Sequence, residues 1–202
     1  MNIIKDTQGF VQRWRPVPQG APTMIVVHRT GNQNATARSN NAWAYRTGNA
    51  SWHYIIDDNG EVIEFVPPTH VAWHAKRPDW AERRGRVVTS PHSTTKRGDY
   101  DTIGIEVVET VNGWSPAARA SLLKLILHLQ AKYPTIEEVV GHSELDPISR
   151  PDDPDGLWTP DDIRRALAAK VEIEPSNSAT YAQIAEKYRD LADLFDQLAE
   201  SD

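Results

Sequence analysis

Residues 102–108, Thr-Ile-Gly-Ile-Glu-Val-Val, are apolar almost without interruption and show no alternation with polar positions. A strand with one wet face alternates; one that does not is covered on both faces, as in a sheet with helices packed above and below it. Met24-Ile25-Val26-Val27-His28 and Glu138-Val139-Val140-Gly141-His142 share this character, and each closes on a histidine. Trp52–Asp57 and Glu61–Val66 flank Asp58-Asn59-Gly60, strong punctuation for an antiparallel hairpin. The expected fold is therefore α/β, a central mixed β-sheet flanked by helices.

Helix signals fall between these strands. The polar stretch Gly31 to Ser39 opens a short helix ending near Arg46, with Gly48 and Asn49 as stop signals. Ser115-Pro116 starts another, followed by Leu122, Leu123, Leu125, Ile126 and Leu129 at mainly helical spacing, and Thr159-Pro160 starts a third over 160–171. One main domain, 1–171, is then followed by a linker, 172–178, and an amphipathic C-terminal helix, 179–202. On that last helix Tyr181, Ile184, Tyr188, Leu191, Phe195 and Leu198 recur at alternating steps of three and four, a narrow seam of coiled-coil type. Such a seam needs a partner, and a homodimer through this helix is favoured over packing back on the domain.

Composition removes several classes. The chain has no cysteine, so disulfides and thiolate ligands or nucleophiles are excluded and any metal must be held by nitrogen and oxygen. A net charge of -6 argues against general affinity for nucleic acid. Residues 76–99 are locally basic, which suits either a solvated loop or a rim that attracts an anionic polymer. No run approaches the ~18 apolar residues of a membrane span, and the start, Met1-Asn2-Ile3-Ile4-Lys5-Asp6, lacks the apolar core of a signal peptide. The expectation is synthesis in the cytoplasm without membrane insertion.

In open α/β sheets chemistry gathers beyond the carboxyl ends of the strands, so His28 and His142 should project into one crevice. A carboxylate from the nearby cluster Asp152-Asp153-Pro154-Asp155 would complete a zinc site, three protein ligands with a fourth position left for water. The plainer reading, imidazoles satisfied by hydrogen bonds alone, stays open on spacing. His128 reads as an ordinary helical histidine, His70 as a turn residue and His92 as a surface one. Glu106, set among apolar neighbours, lies where burial raises its pKa, as a general base or acid requires, or else it is a buried partner for a cation. Gly104, two residues earlier on the same face, would leave space for a ligand.

The order of five motifs is more specific than any of them alone. Val26-Val27-His28-Arg29-Thr30, Ser51-Trp52-His53-Tyr54-Ile55-Ile56-Asp57 before an Asn-Gly turn, Ala72-Trp73-His74-Ala75, Ile103-Gly104-Ile105-Glu106 and Gly141-His142-Ser143-Glu144 follow one another. Over roughly residues 20–170 this series resembles the zinc-dependent N-acetylmuramoyl-L-alanine amidases of the type 2 family, which include phage endolysins, cytoplasmic wall-recycling amidases and peptidoglycan recognition proteins.

The resemblance implies that 1–171 is the catalytic domain, that Zn2+ is bound by His28, His142 and an Asp preceding a Pro, and that peptidoglycan is the substrate. Asp153 matches the Asp-Pro ending better than Asp152, which lies at the commoner distance from His142. Glu106 matches the glutamate treated as catalytic in the recycling amidases, and His53 and His74 match positions lining the cleft. Trp52 and Trp73 are candidate walls for sugar and peptide, with core packing an equal account of them. Relatives often carry a tyrosine where Trp52 stands and a lysine where Pro151 stands; Arg150 is expected to supply the missing positive charge at the oxyanion. A phage endolysin acting on the cell wall after release is the favoured setting. A cytoplasmic recycling amidase, or a module of the same fold that binds peptidoglycan without cutting it, is the alternative.

Overall fold

The computed structural model describes residues 2–7, 22–75, 99, 102–154 and 158–173. The chain divides into two compact units, Met1–Arg164 and Arg165–Asp202. The first contains a sheet of strands β1 (Ile3–Lys5), β2 (Met24–Arg29), β3 (Tyr54–Ile56), β4 (Val62–Glu64), β5 (Thr102–Val107) and β6 (Glu138–Gly141). Their spatial order is β1-β4-β3-β5-β2-β6. Only β3 and β4 pair antiparallel; every other neighbouring pair is parallel, so the sheet is mixed. The sequence did not point to β1, a three-residue edge strand whose pattern is too short to read.

The apolar runs behave as two-sided strands. Ile25, Val26, Val27, Ile103 and Ile105 are all fully buried, so residues pointing to either side of β2 and β5 are covered. Helix α1 (Ala37–Thr47) begins at Thr36, whose hydroxyl accepts from the Ser39 N–H, and ends at Gly48. Its Ala37 and Ala44 pack with Ile55 and Ile63 of β3 and β4. Ile55 is the register partner of Glu106, so α1 covers the sheet face on which Glu106 stands. Helix α2 (Pro116–Lys132) starts with Ser115 as cap and proline in its first turn. It lies against the hairpin: Ser115 Oγ donates to Asp58 O, and Ser121 Oγ to Gly60 O at 2.8 Å.

The remaining helices are α3 (His142–Leu145) and α4 (Pro160–Ile173). The strand expected to close on His142 ends one residue earlier, because Glu144 Oε2 takes the Gly141 N–H at 2.8 Å and the Asp146 N–H closes a helical turn on His142 O. Helix α4 opens with a reciprocal Thr159–Asp162 cap and extends to Ile173, so 172 and 173, expected in the linker, continue it. Within the first unit Arg164 forks onto Glu144, at 3.0 and 3.1 Å, and donates to Val139 O at 3.1 Å. That pins the start of α4 to β6 and α3. The rest of the expected linker and the C-terminal helix lie outside the described residues, as does the basic stretch 76–99 apart from Asp99.

His53, at the entrance to β3, is 1% exposed and acts as a staple. Its Nδ1 accepts from the Gly104 N–H at 3.0 Å, so Nε2 carries the proton and donates to His70 O, also at 3.0 Å. Burial is the main cause that lowers its pKa to about 4.

Two outcomes follow for stability. Gly60 has a φ of +82°, and a Cβ there would stand 2.9 Å from Ala117 O, so Gly60→Ala should cost about 1–3 kcal/mol in urea unfolding. Since His53 is held below its ordinary 6.5, the stability tied to its neutral ring is fully present above that value and is lost as pH falls toward 4, on the order of 3 kcal/mol in all. The His53 ring protons should titrate near pH 4 by NMR, and His53→Gln should flatten the fall in urea midpoint between pH 7 and 5. Titration of His53 near 6.5 would remove the argument.

Candidate metal centre and active site

Register brings the site together before any side chain is considered. In β2 His28 is the partner of Glu106 in β5, and Val27 the partner of Gly141 in β6, so His142, His28 and Glu106 stand in a row across adjacent carboxyl ends. Asp153 arrives on the loop after α3. That loop is built from its own bonds: Ser149 N–H to Asp146 Oδ1, Arg150 N–H to Asp146 O and Asp153 N–H to Arg150 O. It docks through Asp153 O, which accepts from the Ser143 N–H at 2.6 Å. Gly141 permits the approach, since a Cβ there would meet Pro154 Cδ at 2.7 Å and Pro160 Cγ at 2.6 Å.

Asp153 uses its two oxygens differently. Oδ1 accepts from the Arg29 N–H at 2.8 Å, which fixes the carboxylate plane. Oδ2 faces His142 Nδ1 at 3.1 Å and His28 Nδ1 at 3.5 Å. The three donors converge closely enough to hold one metal ion, and they form the only such cluster among the described residues. Asp152, the rival candidate, is exposed and outside it. The donor set, two imidazole nitrogens and one carboxylate oxygen, fits zinc, and His142, like His28, turns its Nδ1 to Asp153. Burial would raise the Asp153 carboxyl, but hydrogen bonds with His142 and His28 outweigh it and hold it well below the usual carboxylate range. His28 is lowered, chiefly by burial, which keeps it neutral and available as a ligand.

Glu106 shows the tuning its apolar surroundings suggested. Its Oε2 is buried without a hydrogen bond among the described residues. Burial, then the negative charge of Asp153, push its carboxyl well above the ordinary range. Exposed Arg150 lies close enough for its charge to act on both His28 and Glu106. Glu109, a second buried carboxylate that sequence reasoning missed, adds to the upward push on Glu106, with its Oε2 3.8 Å from Arg29 Nη1.

The four residues expected to line a cleft fall in different places. Trp52 is buried against Phe65 and donates its indole N–H to Asn41 Oδ1 at 2.8 Å. His53 is the buried staple between Gly104 and His70. Trp73 is 48% exposed, the open aromatic of the set. His74 is buried within 3.0 Å of His28 Nε2, its backbone N–H held by Asp99 Oδ1. Its ring fills the space above Gly104, which the sequence analysis reserved for a ligand: a Cβ on Gly104 would come 2.4 Å from His74 Cγ. Of the histidines set aside, His128 is exposed on α2, His70 closes a turn, and His92 lies outside the described residues.

Comparison with known proteins bears on the fold and the family. The N-acetylmuramoyl-L-alanine amidase CwlA of a Bacillus species is 27% identical over 126 residues, 61% of this chain and 44% of that protein, so the match spans less than half of the relative's length. Among solved structures, the N-acetylmuramoyl-L-alanine amidase LysC from Clostridium intestinale URNW superposes with a TM-score of 0.59 at 18% identity, covering 83% of this chain and 98% of its own. The catalytic domain of XlyA gives 0.55 at 25% identity, covering 83% and 99%. Residues 18–156 match the family profile described as N-acetylmuramoyl-L-alanine amidase, a stretch that runs from before β2 to beyond Asp153, and the chain belongs to that family.

Proposed function

We propose that this protein is a peptidoglycan hydrolase of the endolysin kind, cutting the amide between the lactyl group of N-acetylmuramic acid and the L-alanine of the stem peptide. The observation that carries this reading is the convergence of His28, His142 and Asp153 beside Glu106, whose Oε2 is buried with no hydrogen-bond partner among the described residues. His28, His142 and Asp153 would hold zinc, which would supply a water of pKa lowered toward ~7 and polarisation of the scissile carbonyl.

The chain's own groups then divide the proton work. Glu106 takes a proton from the attacking water and delivers it to the departing amine nitrogen, leaving a carboxylate on the lactyl side and a free amino group on the alanine. Glu106 is raised first by burial and then by the charge of Asp153; a cation held by His28, His142 and Asp153 would oppose the second of these and favour the basic form of Glu106. Arg150, reaching from the exposed loop, supports the developing oxyanion, and Trp73 offers its open face to sugar or peptide. No helix among the described residues is long and apolar enough to cross a membrane. The seam on 179–202 pairs two chains.

Purified cell walls should release free amino groups without new reducing ends, and exhaustive chelation should abolish this; full activity without metal would overturn the mechanism. Glu106→Gln should retain zinc while losing about a hundredfold or more in turnover, whereas Asp153→Ala, unlike Asp152→Ala, should lose zinc and activity together. Light scattering at high micromolar concentration should find a dimer that becomes a monomer when 174–202 are deleted. A monomeric full-length chain would reject the pairing.

A further inference from the structure

We infer that His74 is a positioning residue for the metal centre, acting through His28 and anchored by Thr102. The inference rests on the zinc reading above and adds residues to it. His28 presents Nδ1 to Asp153, so a metal bound there takes that lone pair and leaves the ring proton on Nε2. Nε2 lies 3.0 Å from His74 Nδ1. His74 must therefore accept, which puts its own proton on Nε2, and Nε2 lies 3.0 Å from Thr102 Oγ1. The order of donation runs one way, from His28 to His74 to Thr102.

The seat for this chain of bonds is one face of β5. Thr102, Gly104 and Glu106 alternate on that face and supply in turn an acceptor, an empty position and a carboxylate. The His74 ring lies on Gly104 with no room for a side chain beneath it, edge-on to His28 at a ring distance of 5.1 Å. Asp99 Oδ1 accepts from both the His74 and Ala75 N–H groups, at 3.0 and 2.7 Å, so the backbone that carries the ring is held as well. His53 flanks the far side of His74 at 5.8 Å but directs its own nitrogens to Gly104 and His70, so it does not compete for the His74 protons.

The test is zinc affinity by chelator competition, with the full chain and with His74→Ala, His74→Gln and Thr102→Val. His74→Ala should weaken zinc binding about 10–100-fold, the usual cost of losing a partner behind a ligating imidazole. His74→Gln, which can both accept and donate, should recover part of that loss. Thr102→Val, nearly isosteric, should lose less in the same direction; NMR of the zinc-loaded wild type should show a slowly exchanging His74 Nε2 proton, and this signal should be absent in Thr102→Val. Wild-type zinc affinity in both His74→Ala and Thr102→Val, with a raised KM for cell-wall substrate, would overturn the inference and make His74 a cleft wall. A wild-type chain that binds no zinc would overturn the metal reading itself.

Discussion

The alignment of β2 with its two neighbours is the constraint on which everything else depends. A shift of one residue in a strand turns every side chain to the opposite face, and His28 would then leave both Glu106 and His142. Apolar patterning cannot choose the register here, because β2 and β5 are buried on both sides. Polar and steric features choose it instead. The Arg29 N–H must meet Asp153, and Gly104 must lie beneath His74. The same details that set the chemistry also set the fold.

Burial gives similar residues different roles. His53 and His74 are both kept neutral chiefly by burial, yet one joins β3 to β5 and the loop at His70 while the other turns its Nδ1 to His28. Two acids near one another separate in the same way: Asp153, bonded by imidazoles and an N–H, is held ionised, while Glu106, with one oxygen unpartnered, is pushed toward the protonated form. Environments that drive two carboxyls apart are a common way to divide ligand and proton-transfer duties at one site.

Much of this was legible in the chain because the relevant signals are local. The buried runs, the Asp58-Asn59-Gly60 turn and the Ser115-Pro116 and Thr159-Pro160 starts each need only a few neighbours to be read, and all correspond to observed elements. What escaped depends on partners distant in sequence. Gly104 read as space for a ligand because nothing nearby shows that His74 occupies it. Thr102 and Asp99 look like ordinary polar residues until the fold brings His74 to them, and Glu109 looks like a surface acid until Thr110 and Gly113 turn the chain beside it. His142 reads as the end of a strand because the residue that starts the helical turn, Glu144, lies after it and acts back on Gly141.

The bond from Arg29 to Asp153 joins positions 124 residues apart. Contacts of that range form late, because the entropy of closing so long a loop must be met before the contact returns anything. The centre of the sheet, with His28 and Glu106, can therefore be in place while the crevice above it still lacks Asp153. A nascent chain that has not yet delivered its Asp153 loop carries His28 and Glu106 on a nearly complete sheet without the residue that brings the three donors together, so the proposed centre is the last part of the first unit to be assembled.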